Sequence, residues 1–116
     1  MLRHQQGREG EDLARQFLER QGLTFVEANF KCDIGEIDLV MRDRRCWVFV
    51  EVKYRTLDDF ANILEQIRPA QCQRIRQVAQ LYVIQKRLNE HLTPMRFDVV
   101  AVVDALEQLY WLEDAF

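Results

Sequence analysis

Between Gly35 and Met41 apolar and polar residues alternate, so that Ile37, Leu39 and Met41 fall on one face of an extended strand and Glu36, Asp38 and Val40 on the other. A short polar stretch, Asp43, Arg44 and Arg45, precedes a second run, Cys46 to Lys53, rich in Val and aromatics. The two runs predict a β-hairpin. Upstream, Leu13, Ala14, Phe17 and Leu18 recur at i, i+1, i+4 and i+5, a helical stripe that predicts a helix over about Gly7 to Gln21, stopped by Gly22. Leu23 to Ala28 reads as a short strand and Lys31 to Gly35 as the loop after it. Asp58 and Asp59 are candidate caps of a helical turn, and Pro69 suits the first turn of a longer helix reaching about Asn89. In that helix Ile75, Val78, Ala79 and Tyr82 form an apolar stripe, widened by Leu81, Ile84 and Leu88. Met95 to Val103 predicts a further strand, and Leu106 to Leu112 an edge strand. The order α-β-β-β-α-β-β, without repeats, favours an α/β sandwich on a mixed sheet.

Charges break the pattern at one place. In Trp47 to Lys53 both faces are apolar until Glu51 and Lys53 arrive, on the face of Trp47 and Phe49. A lone buried carboxylate or ammonium costs several kcal/mol, so each needs a partner. With the turn centred between Asp43 and Arg44, Arg42 pairs with Arg45, Asp38 lies opposite Phe49, and Glu36 lies opposite Glu51. Asp38 and Glu51 then become diagonal neighbours on one face, roughly 7–8 Å apart at the backbone. A slip of the register by two keeps them on one face, and a slip by one does not. Converging carboxylates repel one another without a cation, and hard oxygen donors suit Mg²⁺ or Mn²⁺ better than zinc. Lys53 beside such an ion adds a point charge that stabilises negative phosphate oxygens, a combination suited to phosphodiester hydrolysis. The alternative is that Glu51 and Lys53 pair with each other where the strand leaves the core, with Asp38 and Glu36 solvated.

Length and charge narrow this picture. A chain of 116 residues fits one domain, residues 1–116, with one core. The net charge of −3 and pI near 5.4 have the wrong sign for a protein that coats nucleic acid, so any such contact must come from a local patch. Basic residues gather at Arg42, Arg44 and Arg45, at Lys53 and Arg55, and at Arg68, Arg74, Arg76, Lys86 and Arg87. Three cysteines without a CxxC pair, and only two histidines, argue against a disulfide framework and a structural zinc site. No apolar run approaches the ~18 residues that span a bilayer, and the start lacks the apolar core of a signal peptide. The expected compartment is the cytoplasm.

Gly35-Glu36-Ile37-Asp38-Leu39-Val40, Val48 to Arg55, and Arg96-Phe97-Asp98-Val99-Val100 resemble the YraN-like family of small bacterial proteins. That family is similar in fold to the archaeal Holliday-junction resolvases, within the PD-(D/E)xK nucleases. The likeness covers nearly the whole chain and takes in Gly7, Glu11 and Ala14, Asn29 and Phe30, and the closing Ala115-Phe116. It implies a restriction-endonuclease-like three-layer sandwich, a central mixed sheet flanked by helices. By the same resemblance Asp38 is the metal-binding Asp, Glu51 the acidic member of the (D/E)xK pair, Lys53 its lysine, and Glu11 a first-helix glutamate near the site. The candidate metal set is Asp38, Glu51, Val52 and Glu36, the last of these present in the motif without a fixed role in it, and the candidate nucleic-acid contacts are Arg55 and Arg74. In one departure, Gln71 stands where the family usually has a lysine after the proline that opens the long helix, which leaves Arg74 as the nearer basic group.

The leading expectation is a Mg²⁺-dependent (or Mn²⁺-dependent) endonuclease acting on DNA, branched DNA included. The acidic pI and Gln71 motivate a second reading, a non-catalytic nucleic-acid-binding or adaptor domain that keeps the nuclease fold, and a third is a protein-interaction module. Resolvase-like proteins often dimerise, but no segment of this sequence marks a homodimer interface.

Overall fold

The computed structural model describes residues 3–55, 67–103 and 108–116, with the backbone alone for residues 3–8 and Glu90. The elements are α1 (Arg3–Arg20), β1 (Thr24–Cys32), β2 (Gly35–Asp43), β3 (Cys46–Arg55), α2 (Pro69–Gln85), a 3₁₀ turn (Glu90–Leu92), β4 (Met95–Val103) and β5 (Gln108–Leu112). This is the order the periodicity predicts, and β4 has the predicted limits. The capping turn expected at Asp58 and Asp59 lies outside the described residues.

The helices end by the same device. After α1, Gly22 at φ 100° lets its N–H reach Glu19 O and the Leu23 N–H reach Leu18 O, both at 3.0 Å. After α2, Arg87 at φ 57° does the same, with Arg87 N–H on Ile84 O and Leu88 N–H on Val83 O. Both are Schellman closures, in which a left-handed residue turns the next N–H back onto an orphan carbonyl. An arginine at the second one carries no sequence signal, so α2 stops at Gln85 and not near Asn89. Its start follows the prediction, with Pro69 in the first turn, where a missing N–H costs nothing.

The five strands form one mixed sheet in the order β1-β2-β3-β4-β5. Only β3 and β4 run parallel, and the other neighbours are antiparallel. Strand alternation then separates two apolar layers. Val48 and Val50 pack with Leu39, Met41 and Val100 against Ala14 and Leu18 of α1. Phe49 packs on the other side with Phe30, Ile37 and Val40 against Ile75, Val78, Ala79, Tyr82 and Val83 of α2. A helix therefore covers each face of the sheet. Among the described residues no helix is long and apolar enough to cross a membrane, and all three cysteines are free.

Two details of the hairpin correct the sequence reading. The turn holds Arg44 and Arg45, with Asp43 paired to Cys46, Arg42 to Trp47 and Val40 to Phe49. The turn is thus displaced by one residue and every cross-strand partner by two, because Arg44 takes the left-handed conformation (φ 57°) that a tight turn needs. The ladder ends at Leu39 and Val50, one step before Asp38 and Glu51. Nor does the alternation of β2 run unbroken. Ile37 packs on the α2 side with Val40, three residues on, while Leu39 and Met41 face α1. The strand changes face at Asp38.

Candidate carboxylate and lysine site

The interruption that marks this site in the sequence is a structural kink. Where β2 switches faces, the Asp38 side chain turns toward β3, and its Oδ2 accepts a hydrogen bond from the Val52 N–H at 2.8 Å. Glu51, one residue earlier on β3, points its carboxylate at Lys53, with Nζ to Oε1 3.3 Å. Both side chains are largely buried, 15% and 13% exposed. The expected pairing of Glu51 with Lys53 is present, but Asp38 is not solvated as that alternative required. Glu36 is exposed, with Lys31 Nζ 4.0 Å from its carboxylate.

The carboxylates crowd one another. Burial pushes the Asp38 carboxyl up to about 8, helped by repulsion from Glu51, Glu11 and Glu36 and opposed by the Val52 N–H. Burial likewise raises the Glu51 carboxyl, with repulsion from Glu36, against the attraction and hydrogen bond of Lys53 and the charge of Arg55. Burial also raises Glu11, with added repulsion from Glu36, Asp12 and Glu51, while a hydrogen bond from the Asn29 side chain pulls it back. Three acids from α1, β2 and β3 thus share one electrostatic environment.

Gly10 helps bring α1 to this place. A Cβ there would stand 3.1 Å from the Tyr54 ring and 3.8 Å from Val52 Cγ1, so a small residue lets the helix approach β3 just before Glu11. On the other face, a Cβ at Gly35 would meet Arg74 Cδ at 3.2 Å and Val78 Cγ2 at 3.3 Å. That contact lays the Arg74 side chain over the start of β2. Gln71 sits half-buried in the first turn of α2, one turn before Arg74. Arg55 ends β3, with Nη1 donating to the Tyr54 carbonyl at 2.9 Å.

Among the described residues no three His, Cys, Asp or Glu side chains stand close enough together to ring an ion. Magnesium needs no such ring, since it keeps several waters and takes one or two carboxylates. Asp38 and Glu51 are the two buried carboxylates that such an ion would need, both raised chiefly by burial, with repulsion from Glu51 and Glu36 adding to it at Asp38 and from Glu36 at Glu51. The donor set is all hard oxygen, which fits Mg²⁺ or Mn²⁺. Val52 has no polar side chain and could add only its carbonyl, because its N–H is already given to Asp38.

One buried group in the Arg96 to Val100 stretch has a structural part that the local pattern does not announce. Asp98 is fully buried in β4 and accepts from Arg96 Nε at 3.1 Å, Trp111 Nε1 at 2.9 Å and the Asp114 N–H at 2.9 Å. Arg96 in turn donates to Asp43 at 2.9 Å. This network ties the hairpin turn, β5 and the tail to β4. The only sequence signal was a carboxylate entering the apolar run Val99 to Val103.

Fold and site together define a small α/β protein whose mixed sheet, with a helix on each face, holds paired carboxylates and a lysine at a strand kink. The chain belongs to the family described as uncharacterised protein family UPF0102, which it matches over residues 10–102, the YraN-like family that its motifs resemble. It is 42% identical to a UPF0102 protein of Idiomarina loihiensis over 110 residues, 95% of each chain. It is 49% identical to one from Shewanella sp. (strain MR-4) and 50% identical to one from Shewanella denitrificans, covering 95% of this chain and 97% of each relative.

Proposed function

We propose that this protein is a Mg²⁺-dependent (or Mn²⁺-dependent) endonuclease of the PD-(D/E)xK type, with a restriction-endonuclease-like sandwich, that hydrolyses DNA phosphodiesters, branched DNA included. The observation that carries the reading is the burial of Asp38 and Glu51 side by side, both carboxyls raised, with Lys53 beside them. A fold does not require such an arrangement for stability, since buried charges cost more than apolar side chains of like volume. Its use is chemical.

Asp38 and Glu51 would hold the ion, with the Val52 carbonyl as a further oxygen donor, while Glu36, exposed toward Lys31, would act on it through its charge. When bound, a divalent ion stabilises charge on the phosphate oxygens and lowers the pKa of a water molecule. The Val52 N–H fixes the Asp38 carboxylate, leaving Oδ1 without a bond to that group. Lys53 keeps its ammonium beside Glu51, where it meets a phosphate oxygen or orients the attacking water. Glu11 approaches from α1 and can accept a proton, its carboxyl being raised by burial. Arg74 and Arg55 are the contacts for flanking phosphates.

The test is cleavage of linear, nicked and four-way DNA with and without Mg²⁺, repeated with Glu51→Ala and Lys53→Ala. Metal-dependent cleavage lost in both variants supports the reading, and no cleavage of any substrate overturns it. A second reading, a non-catalytic nucleic-acid-binding or adaptor domain, is favoured by Gln71 at the lysine position and by the net charge of −3. Salt-dependent DNA binding without cleavage, unchanged in Lys53→Ala, selects it.

A further inference from the structure

The face switch of β2 at Asp38 has a counterpart on the neighbouring strand. Asn29 has φ 57°, the left-handed region that asparagine enters more readily than most residues. Pairing of Ala28 with Leu39 and of Phe30 with Ile37 leaves Asn29 across from Asp38. Phe30 and Ile37 pack on the α2 side, whereas Ala28 and Leu39 line a cavity of about 200 Å³ beside α1. Both strands therefore turn over at one register position. On the α1 side the same Asn29 hydrogen-bonds Glu11, and the two line that cavity together with Asp12 and Arg15.

We propose that Asn29 is a positioning residue that acts through Glu11: its left-handed backbone turns the β1–β2 pair at Asp38, and its carboxamide holds the Glu11 carboxylate toward Asp38 and Glu51. Without that donor, repulsion from Glu36, Asp12 and Glu51 drives Glu11 out toward solvent. The ion-binding consequence rests on the metal-site reading above, whereas the contact between Asn29 and Glu11 does not.

Asn29→Gly separates the two roles, because glycine keeps the left-handed backbone and lacks the carboxamide. It is expected to melt with the parent protein, while Asn29→Ala melts several degrees lower, from the strain of a Cβ at positive φ. By calorimetric titration with Mn²⁺, Asn29→Gly and Glu11→Ala are each expected to weaken binding about threefold to tenfold, the scale of one partly solvated hydrogen bond. The double variant should be no weaker than Glu11→Ala alone, since the two changes remove one interaction. Unchanged affinity in Asn29→Gly, or additive losses in the double variant, would overturn the proposal. A second readout holds if the parent takes no Mn²⁺, which would sink the metal site alone. The side-chain amide resonances of Asn29, followed by ¹⁵N NMR, are expected to shift in Glu11→Ala, and resonances that stay in place reject the positioning role.

Discussion

The Val52 N–H donates to Asp38 Oδ2 at 2.8 Å across the β2–β3 pair, just beyond Leu39 and Val50, where the ladder between the two strands ends. One carboxylate thus sits between a fixed donor and a second buried carboxylate. The donor orients it, and the second acid makes its charge costly.

From this balance, Asp38→Asn should stabilise the metal-free protein and disable ion binding. The carboxamide oxygen can still accept from Val52, while the repulsion with Glu51 disappears. In chelator at pH 8, thermal melting is expected a few degrees above the parent. Mn²⁺ titration of the same variant should show affinity at least about tenfold lower. A variant that melts lower and binds Mn²⁺ as the parent does would contradict both roles.

The pH dependence has a definite sign. The Asp38 carboxyl stands near 8 in the folded protein against 3.8 in its absence of perturbation, so between those values the native state holds a proton that the unfolded chain has lost. Stability without metal is therefore full below about pH 4 as far as this group is concerned, and falls as pH rises toward 8. The slope is at most about 1.4 kcal/mol per pH unit for one such group, with Glu51 acting in the same direction. Denaturant melts from pH 5 to 8 in chelator should show the fall, Asp38→Asn should flatten it, and saturating Mg²⁺ should offset it.

Lys53→Met removes the attraction and the hydrogen bond that hold the Glu51 carboxyl down. Its carboxyl titration, followed by ¹³C NMR, should move to higher pH. Cleavage should fall by about two orders of magnitude or more, the scale of losing one charge from a transition-state site, while Mn²⁺ binding at pH 8 persists. Full activity in this variant would remove Lys53 from the chemistry.

Asp98→Ala addresses stability. The carboxylate is fully buried and satisfies Arg96, Trp111 and the Asp114 N–H. Deleting it leaves Arg96 with Asp43 alone and strands two further donors, a loss of about 3–5 kcal/mol. Asp98 is not among the charges that act most strongly on Asp38 or Glu51. Where the variant remains folded, its Mn²⁺ affinity should match the parent, and urea melts read the stability loss.

The sequence by itself determined the order of the elements, the limits of β4, the start of α2 at Pro69, and that Glu51 and Lys53 intrude on an apolar strand. Those features are written in local periodicity and in the chemistry of single residues, so they survive without knowledge of neighbours. The tertiary structure decided the hairpin register, the face on which Ile37 packs, the burial of Asp38, and the Asp98 network. Arg44 and Arg87 in left-handed conformations are not announced by their residue type, because tertiary packing offsets the local strain. Alternation alone puts Asp38 and Glu51 on one face of a straight ladder and does not announce the Val52 contact. The kink opposite Asn29 turns it onto the Val52 N–H, and only contacts between strands far apart in the chain can select that geometry.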